Sequence, residues 1–361
     1  MLIKVNSEIA DLLSSAAPIP ALHIAIARLL SSHADGLHVL IMEASLCRQI
    51  EGNSSYSAED RATAKRIRNK YSEYGALPNL VESYIELVTE GLEPALAGKV
   101  WKVPFTWFAA NPLHDTQIVC EDLNDISVLR EAGVDSLTDR RLHAFRIRLS
   151  SSPGGGGNTH RVLEEVTRIR KQICICVVDS DRQSPHDTLG ATASPCAAYQ
   201  GPGIFAVQVT EGRTIENSIP WKLIDKVRPS LNPRPSEELA KIEQRTKTST
   251  KYLNLKRGIC GYELRKHSTN CQIYWRSALK ASAADLVCCE SSCGAPDIPQ
   301  CKLRLHSGYG NSMLSDVGQW LADNRSSNRA SHYLPSPNDS DWKRLGSAIA
   351  SYGIGLPPRR I

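Results

Sequence analysis

Ile173-Cys174-Ile175-Cys176-Val177-Val178-Asp179-Ser180-Asp181 decides the fold class. Six apolar, mostly β-favouring residues in a row leave no polar face. A strand of this kind has to be covered on both sides, as in a parallel sheet flanked by helices. Upstream, Thr116 to Cys120 has a short strand pattern and Asp122 to Ala132 a helical one stopped by Gly133. Leu142 to Leu149 reads as a strand alternating in part with arginines, and Ser150 to Gly157 as a Ser/Pro/Gly loop. Asn158 or Thr159 can cap a helix with Val162, Val166 and Ile169 at helical spacing. Downstream, Ile204 to Val209 is another strand. Strands alternating with helices predict an α/β core over residues 113–225.

Residues 1–112 read as mostly helical. Ser57-Ala58-Glu59-Asp60 has the form of a capping box, followed by a basic helix through Arg66, Arg68 and Lys70 toward Gly75. A second helical pattern runs from Leu80 to Thr89 and ends at Gly91, while His38 to Met42 suits a buried strand or a helix equally. Residues 226–361 read as an α+β extension. In it, Arg228 to Lys251 forms a linker or exposed helix, Lys302 to His306 a strand and Leu314 to Ala322 a helix. The Ser-, Asn- and Pro-rich stretch from Ser326 to Pro337 is expected to be mobile.

The chain's 361 residues have room for two or three domains. With 41% hydrophobic and 22% charged residues, disorder of the whole chain is excluded. A net charge of +5 permits nucleic-acid contact without arguing for it alone. The sequence has no apolar run long enough for a membrane span, and Met1 to Ala10 lacks the pattern of a secretory signal. The eleven cysteines are therefore expected to be reduced thiols in a cytoplasmic protein, some of them metal ligands.

Parallel α/β sheets place their chemistry at the carboxyl ends of the strands. Glu121 directly follows one strand, and Asp179-Ser180-Asp181 follows another. Residues i and i+2 of a strand face the same side, so both aspartates can point to one place. Neighbouring strands would bring three carboxylates within reach of one Mg²⁺ or Mn²⁺, hard cations that prefer oxygen ligands and phosphate partners.

Val119-Cys120-Glu121-Asp122-Leu123-Asn124-Asp125 resembles the opening motif of TOPRIM domains, and Val177-Val178-Asp179-Ser180-Asp181 resembles their Asp-x-Asp. Gly154 to Gly157 lies where that family often has a glycine turn. Arg213-Thr214-Ile215-Glu216-Asn217 is similar to the Arg-x-x-Glu-Asn segment of OLD-family nucleases and related anti-phage effectors, and Lys256-Arg257-Gly258 looks like a weaker lysine–glycine element downstream. The resemblance covers Thr116 to Ile219. It implies Glu121 as general acid or base and Asp179 and Asp181 as metal ligands, with Glu121 and Glu216 able to join them. Asp125 and Lys256 are implied as further catalytic groups. Asp122 stands where the family usually has glycine, so either the turn differs or an extra acid faces the metal.

The expected function is a metal-dependent nuclease acting on DNA or RNA, an effector of anti-phage defence. A separate ATPase subunit and self-association are expected by the same resemblance. Two other readings remain open: a non-catalytic TOPRIM module that binds nucleic acid or a partner, and a phosphatase with Asp179 as nucleophile. Gly154 to Gly157 lacks the Gly-Lys-Ser/Thr ending of a P-loop and reads as a flexible turn. Cys289, Cys293 and Cys301 can supply three thiolates to a structural Zn²⁺, with Cys260, His267 or Cys271 as the fourth ligand; buried free cysteines are the alternative.

Overall fold

The structure, a computed structural model, describes residues 1–14, 19–246, 250–265, 267–279, 304–324, 330–333 and 339–357. Its first third corrects the helical expectation. Five strands, β1 (Leu2–Val5), β2 (Val39–Ile41), β3 (Tyr84–Val88), β4 (Ala95–Ala97) and β5 (Val100–Pro104), form a sheet in the order β2-β1-β3-β5-β4. All pairs are parallel except β4 with β5. Helices Pro20–Ala34, Ala44–Gly52 and Ala58–Asn69 accompany the sheet, so the region is α/β. Tyr84 to Val88 falls inside the stretch read as a helix, yet Ile85 and Leu87 are buried and their neighbours half-exposed, a period of two. The predicted capping box is present: Asp60 N–H donates to Ser57 Oγ at 3.0 Å, and Ser57 N–H to Asp60 Oδ2 at 3.2 Å.

The second sheet follows from the fully apolar strand. Its members are β6 (Thr116–Cys120), β8 (Leu149–Pro153), β9 (Cys174–Val178) and β10 (Phe205–Val209), all parallel, in the order β10-β9-β6-β8. Between β6 and β8 the two-residue β7 (Arg146–Ile147) pairs instead with β13 (Ile354–Gly355). A small antiparallel pair, β11 (Ile259–Cys260) with β12 (Arg304–His306), lies between β10 and β13 in the chain. β6 and β9 are buried along their whole length. One face, with Ile118, Cys120, Ile175 and Val177, joins the core containing Ile126 and Leu129 of helix Leu123–Asp139. The other, with Val119, Cys174, Cys176 and Val178, packs with Leu163 and Val166. The chain leaves β6 toward β8 and returns past it to β9, so the strand order reverses between β6 and β9. In open α/β sheets that reversal opens a crevice at the carboxyl ends of the two strands.

Three local readings give way to packing. Helix Leu123–Asp139 runs through Gly133, because that glycine lets the helix Asp339–Gly353 come close: a Cβ there would lie 2.6 Å from Ile349 Cγ2. Ser150 to Pro153 form an edge strand, β8, because their backbone pairs with β6 despite the serines. Of the two readings of Arg228 to Lys251, the helix holds over Pro235–Thr246, but Leu239 and Ile242 are buried, so it is packed on one side rather than exposed all round. Most of Ser326 to Pro337, and Cys289, Cys293 and Cys301, lie outside the described residues. Among the described residues no helix is long and apolar enough to cross a membrane.

Candidate active site

The crevice at the β6–β9 reversal collects the acids. Glu121 leaves the end of β6, and Asp179 and Asp181 leave the end of β9. The 3-10 turn Ile215–Ser218 follows β10 and brings Glu216 beneath them. Ile215 N–H donates to Asp179 Oδ1 at 2.8 Å, fixing that carboxylate against the turn. Ser180 is fully buried: its N–H donates to Thr210 Oγ1 at 2.9 Å and its hydroxyl to the Gly212 carbonyl at 2.6 Å. Asp181 sits at φ 54° and is exposed. Its N–H donates to the Arg213 carbonyl at 2.8 Å, and Gly190 clears its side chain, since a Cβ at Gly190 would stand 2.6 Å from Asp181 Cβ. Left-handed backbone at a non-glycine residue persists only where its surroundings hold it.

Charge crowding marks the cluster. Burial and then the charge of Glu216, with Asp125 and Glu121 behind it, push Asp179 well above the usual carboxylate range. Glu121 is raised by burial and by Asp181, against the pull of the Asp179 backbone N–H and Lys256. Burial raises Asp181 while Arg213 and Lys256 draw it down. Asp125 is pushed up to about 7, chiefly by burial, with its hydrogen bond from Asp122 opposing. That hydrogen bond, 2.9 Å from Asp122 N–H to Oδ2, makes Asp125 first a helix-capping residue. Asp122, where the family motif has glycine, is the N-cap: its carboxylate accepts from Asn124 N–H at 2.7 Å and faces solvent.

Glu216 is the most unusual member. It is fully buried, and among the described residues its carboxylate is met by the Lys256 ammonium, 2.7 Å from Oε1, while Oε2 has no hydrogen-bond partner. Asn217 ties this turn to the segment that carries Lys256, donating to the carbonyls of Thr250 (3.3 Å) and Leu253 (3.0 Å). Oε1 of Glu121 is also buried without a partner. Among the described residues no group of three or more His, Cys, Asp or Glu is placed to hold a metal ion as it stands. The acids are gathered and coupled without closing on one point.

Of the sequence-predicted residues, Glu121, Asp125, Asp179, Asp181, Glu216 and Lys256 thus interact in one crevice. The supporting residues Ser180, Gly190 and Thr210 carry no local signal; only the return of the loop after β10 reveals them. Cys271 is buried, with Sγ 3.7 Å from the Gln183 carbonyl.

The glycine run flanks Glu121. Gly154 N–H donates to the Cys120 carbonyl at 2.7 Å and Gly155 N–H to that of Glu121 at 3.1 Å. A Cβ on Gly154 would lie 2.6 Å from Thr159 Cα, whereas one on Gly157 meets nothing within 4 Å. Gly154→Ala is therefore expected to cost about 1–3 kcal/mol in denaturant unfolding, and Gly157→Ala less than about 0.5 kcal/mol. Equal costs would contradict this account of the loop.

No family model, curated protein or solved structure matches the chain.

Proposed function

We propose that the chain is a TOPRIM-type nuclease that cuts nucleic-acid phosphodiesters with Mg²⁺ or Mn²⁺. The observation carrying this reading is Glu216, a fully buried carboxylate at the strand reversal that lies against Asp179 and is met by a single lysine ammonium, with Oε2 left without a hydrogen-bond partner. Several acids buried together are expensive, and a divalent cation would offset that cost more fully than one lysine charge. The donor set suits a hard divalent ion, being all carboxylate oxygen. Asp179, Asp181 and Glu216, with Glu121 beside them, would hold it. Such an ion supplies neutralisation of phosphate charge and a water easier to deprotonate.

The chain's own residues supply the rest. Glu121, with its raised proton affinity, is suited to take or give the proton at the attacked phosphate. Arg213 and Lys256 supply positive charge for the phosphate oxygens. Burial lowers the Arg213 pKa, and the neighbouring Asp181 opposes that shift; a guanidinium stays charged at neutral pH.

The test is incubation with supercoiled plasmid, single-stranded DNA and tRNA in Mg²⁺, Mn²⁺ or EDTA, beside Asp179→Asn. Expected is cleavage that needs the metal and falls by at least about a hundredfold in the variant. Metal binding without cleavage of any substrate would favour the binding module or an enzyme awaiting an ATPase subunit. Aryl phosphate hydrolysis that survives loss of Glu121 would favour the phosphatase.

A further inference from the structure

Lys256 reaches the cluster from a segment whose backbone is pinned. Gly258 N–H donates to the Asn254 carbonyl at 2.7 Å, Tyr309 N–H to that of Leu255 at 2.7 Å and Gly310 N–H to that of Lys256 at 3.0 Å. Gly258 and Gly308 interlock at φ +77° and +83°. A Cβ on Gly258 would lie 2.0 Å from the His306 carbonyl oxygen, and one on Gly308 2.4 Å from that of Lys256. The main chain here has no slack, and the freedom left is in the lysine's four-carbon stem. That stem is 36% exposed, so it has a path to solvent, while its ammonium pairs with a Glu216 side chain only 1% exposed. Burial works against the lysine's charge, yet Glu216, Asp179 and Asp125 together outweigh it and raise its pKa. One monovalent charge thus faces several carboxylates, of which it touches Glu216.

We propose that Lys256 is an internal counter-ion which occupies the cation seat at Glu216 and swings outward, toward the phosphate of a bound nucleic acid, when a divalent ion takes that seat. This rests on the metal-site reading above. In the resting state the lysine keeps Glu216 compensated and competes with the metal. In the loaded state the same side chain is released to the substrate, so metal occupancy and phosphate affinity rise together.

Isothermal titration of the full chain with MnCl₂, without nucleic acid, tests it. Lys256→Met removes the charge at nearly constant length and is expected to tighten Mn²⁺ binding by about tenfold or more. Lys256→Arg keeps the charge and stays within about threefold of the wild type. Lys251→Met removes a lysine paired with Glu211, outside the acidic cluster, and changes affinity by less than about twofold. As an independent readout, Lys256→Met melts at a lower temperature than the wild type in EDTA, and Mn²⁺ raises its melting temperature by more than it raises that of the wild type. Mn²⁺ affinity in Lys256→Met equal to or weaker than the wild type's overturns the counter-ion, while leaving the metal site intact. Failure of every variant and of the wild type to bind Mn²⁺ overturns the metal-site reading and the counter-ion with it.

Discussion

Glu121→Gln is expected to slow cleavage by about 10²- to 10⁴-fold while leaving the fold intact. Glutamine keeps the shape of the side chain and can still accept from the Asp179 backbone N–H, but it cannot titrate. Glu121 is half-buried and repelled by Asp181, so its proton affinity lies above that of an ordinary carboxyl. If it serves as the base, the ionised form is the active one, and the wild-type single-turnover rate rises with pH through the raised pKa. The glutamine variant should lose that rise as well as the rate. Rates followed from pH 5 to pH 8 at saturating Mn²⁺ measure both. A variant that keeps the wild-type rate, or a slow variant with the wild-type pH profile, would remove Glu121 from the proton-transfer role.

Asp125→Asn should stabilise the metal-free protein at pH 8 by roughly 2–4 kcal/mol and have little effect near pH 4. Asp125 is 7% exposed and its pKa is raised from 3.8 to about 7. The folded chain therefore holds this proton more tightly than the unfolded chain does. The associated stability is fully present below the unfolded pKa and is lost as pH rises toward the folded one. The rise from 3.8 to about 7 sets an upper limit of about 4 kcal/mol. Asparagine gives up that proton dependence while its Oδ1 can still accept the 2.9 Å bond from Asp122 N–H. Urea unfolding in EDTA at several pH values across that window reads the difference, and an offset constant across pH would rule out the buried acid as its cause.

What was legible in the sequence was what needs no partner to declare itself. β6 and β9 are apolar enough to require burial on both faces, and the acids at their ends therefore locate the crevice. Tyr84 to Val88 was hidden because five residues with a glutamate in the middle fit a short helix as well as a strand; pairing with β1 and β5 decides it. β8 was hidden by its serines, which an edge strand tolerates on its half-exposed positions. Gly133 misled because a helix-stopping residue and a close-packing residue are the same residue, and only the helix Asp339–Gly353 tells them apart. In the site, Glu121 and the Asp-x-Asp pair could be singled out by position along strands. The isolation of Glu216 and its pairing with Lys256 could not, since both depend on how a turn after β10 meets a loop forty residues further on.

The seam between β7 and β13 has a consequence for how the molecule is made. Ile147 pairs with Ile354, and Leu356 N–H donates to the Gly36 carbonyl at 2.9 Å, so the last described stretch closes a gap beside some of the earliest. A ribosome delivers the two sides of that seam far apart in time. Until the helix Asp339–Gly353 and β13 emerge, helix Leu123–Asp139 has an uncovered flank and β7 has no strand beside it. β7 and the helix beside it must wait unsealed while the residues between them and β13 are made, and that unsealed body is the species most exposed to misassembly.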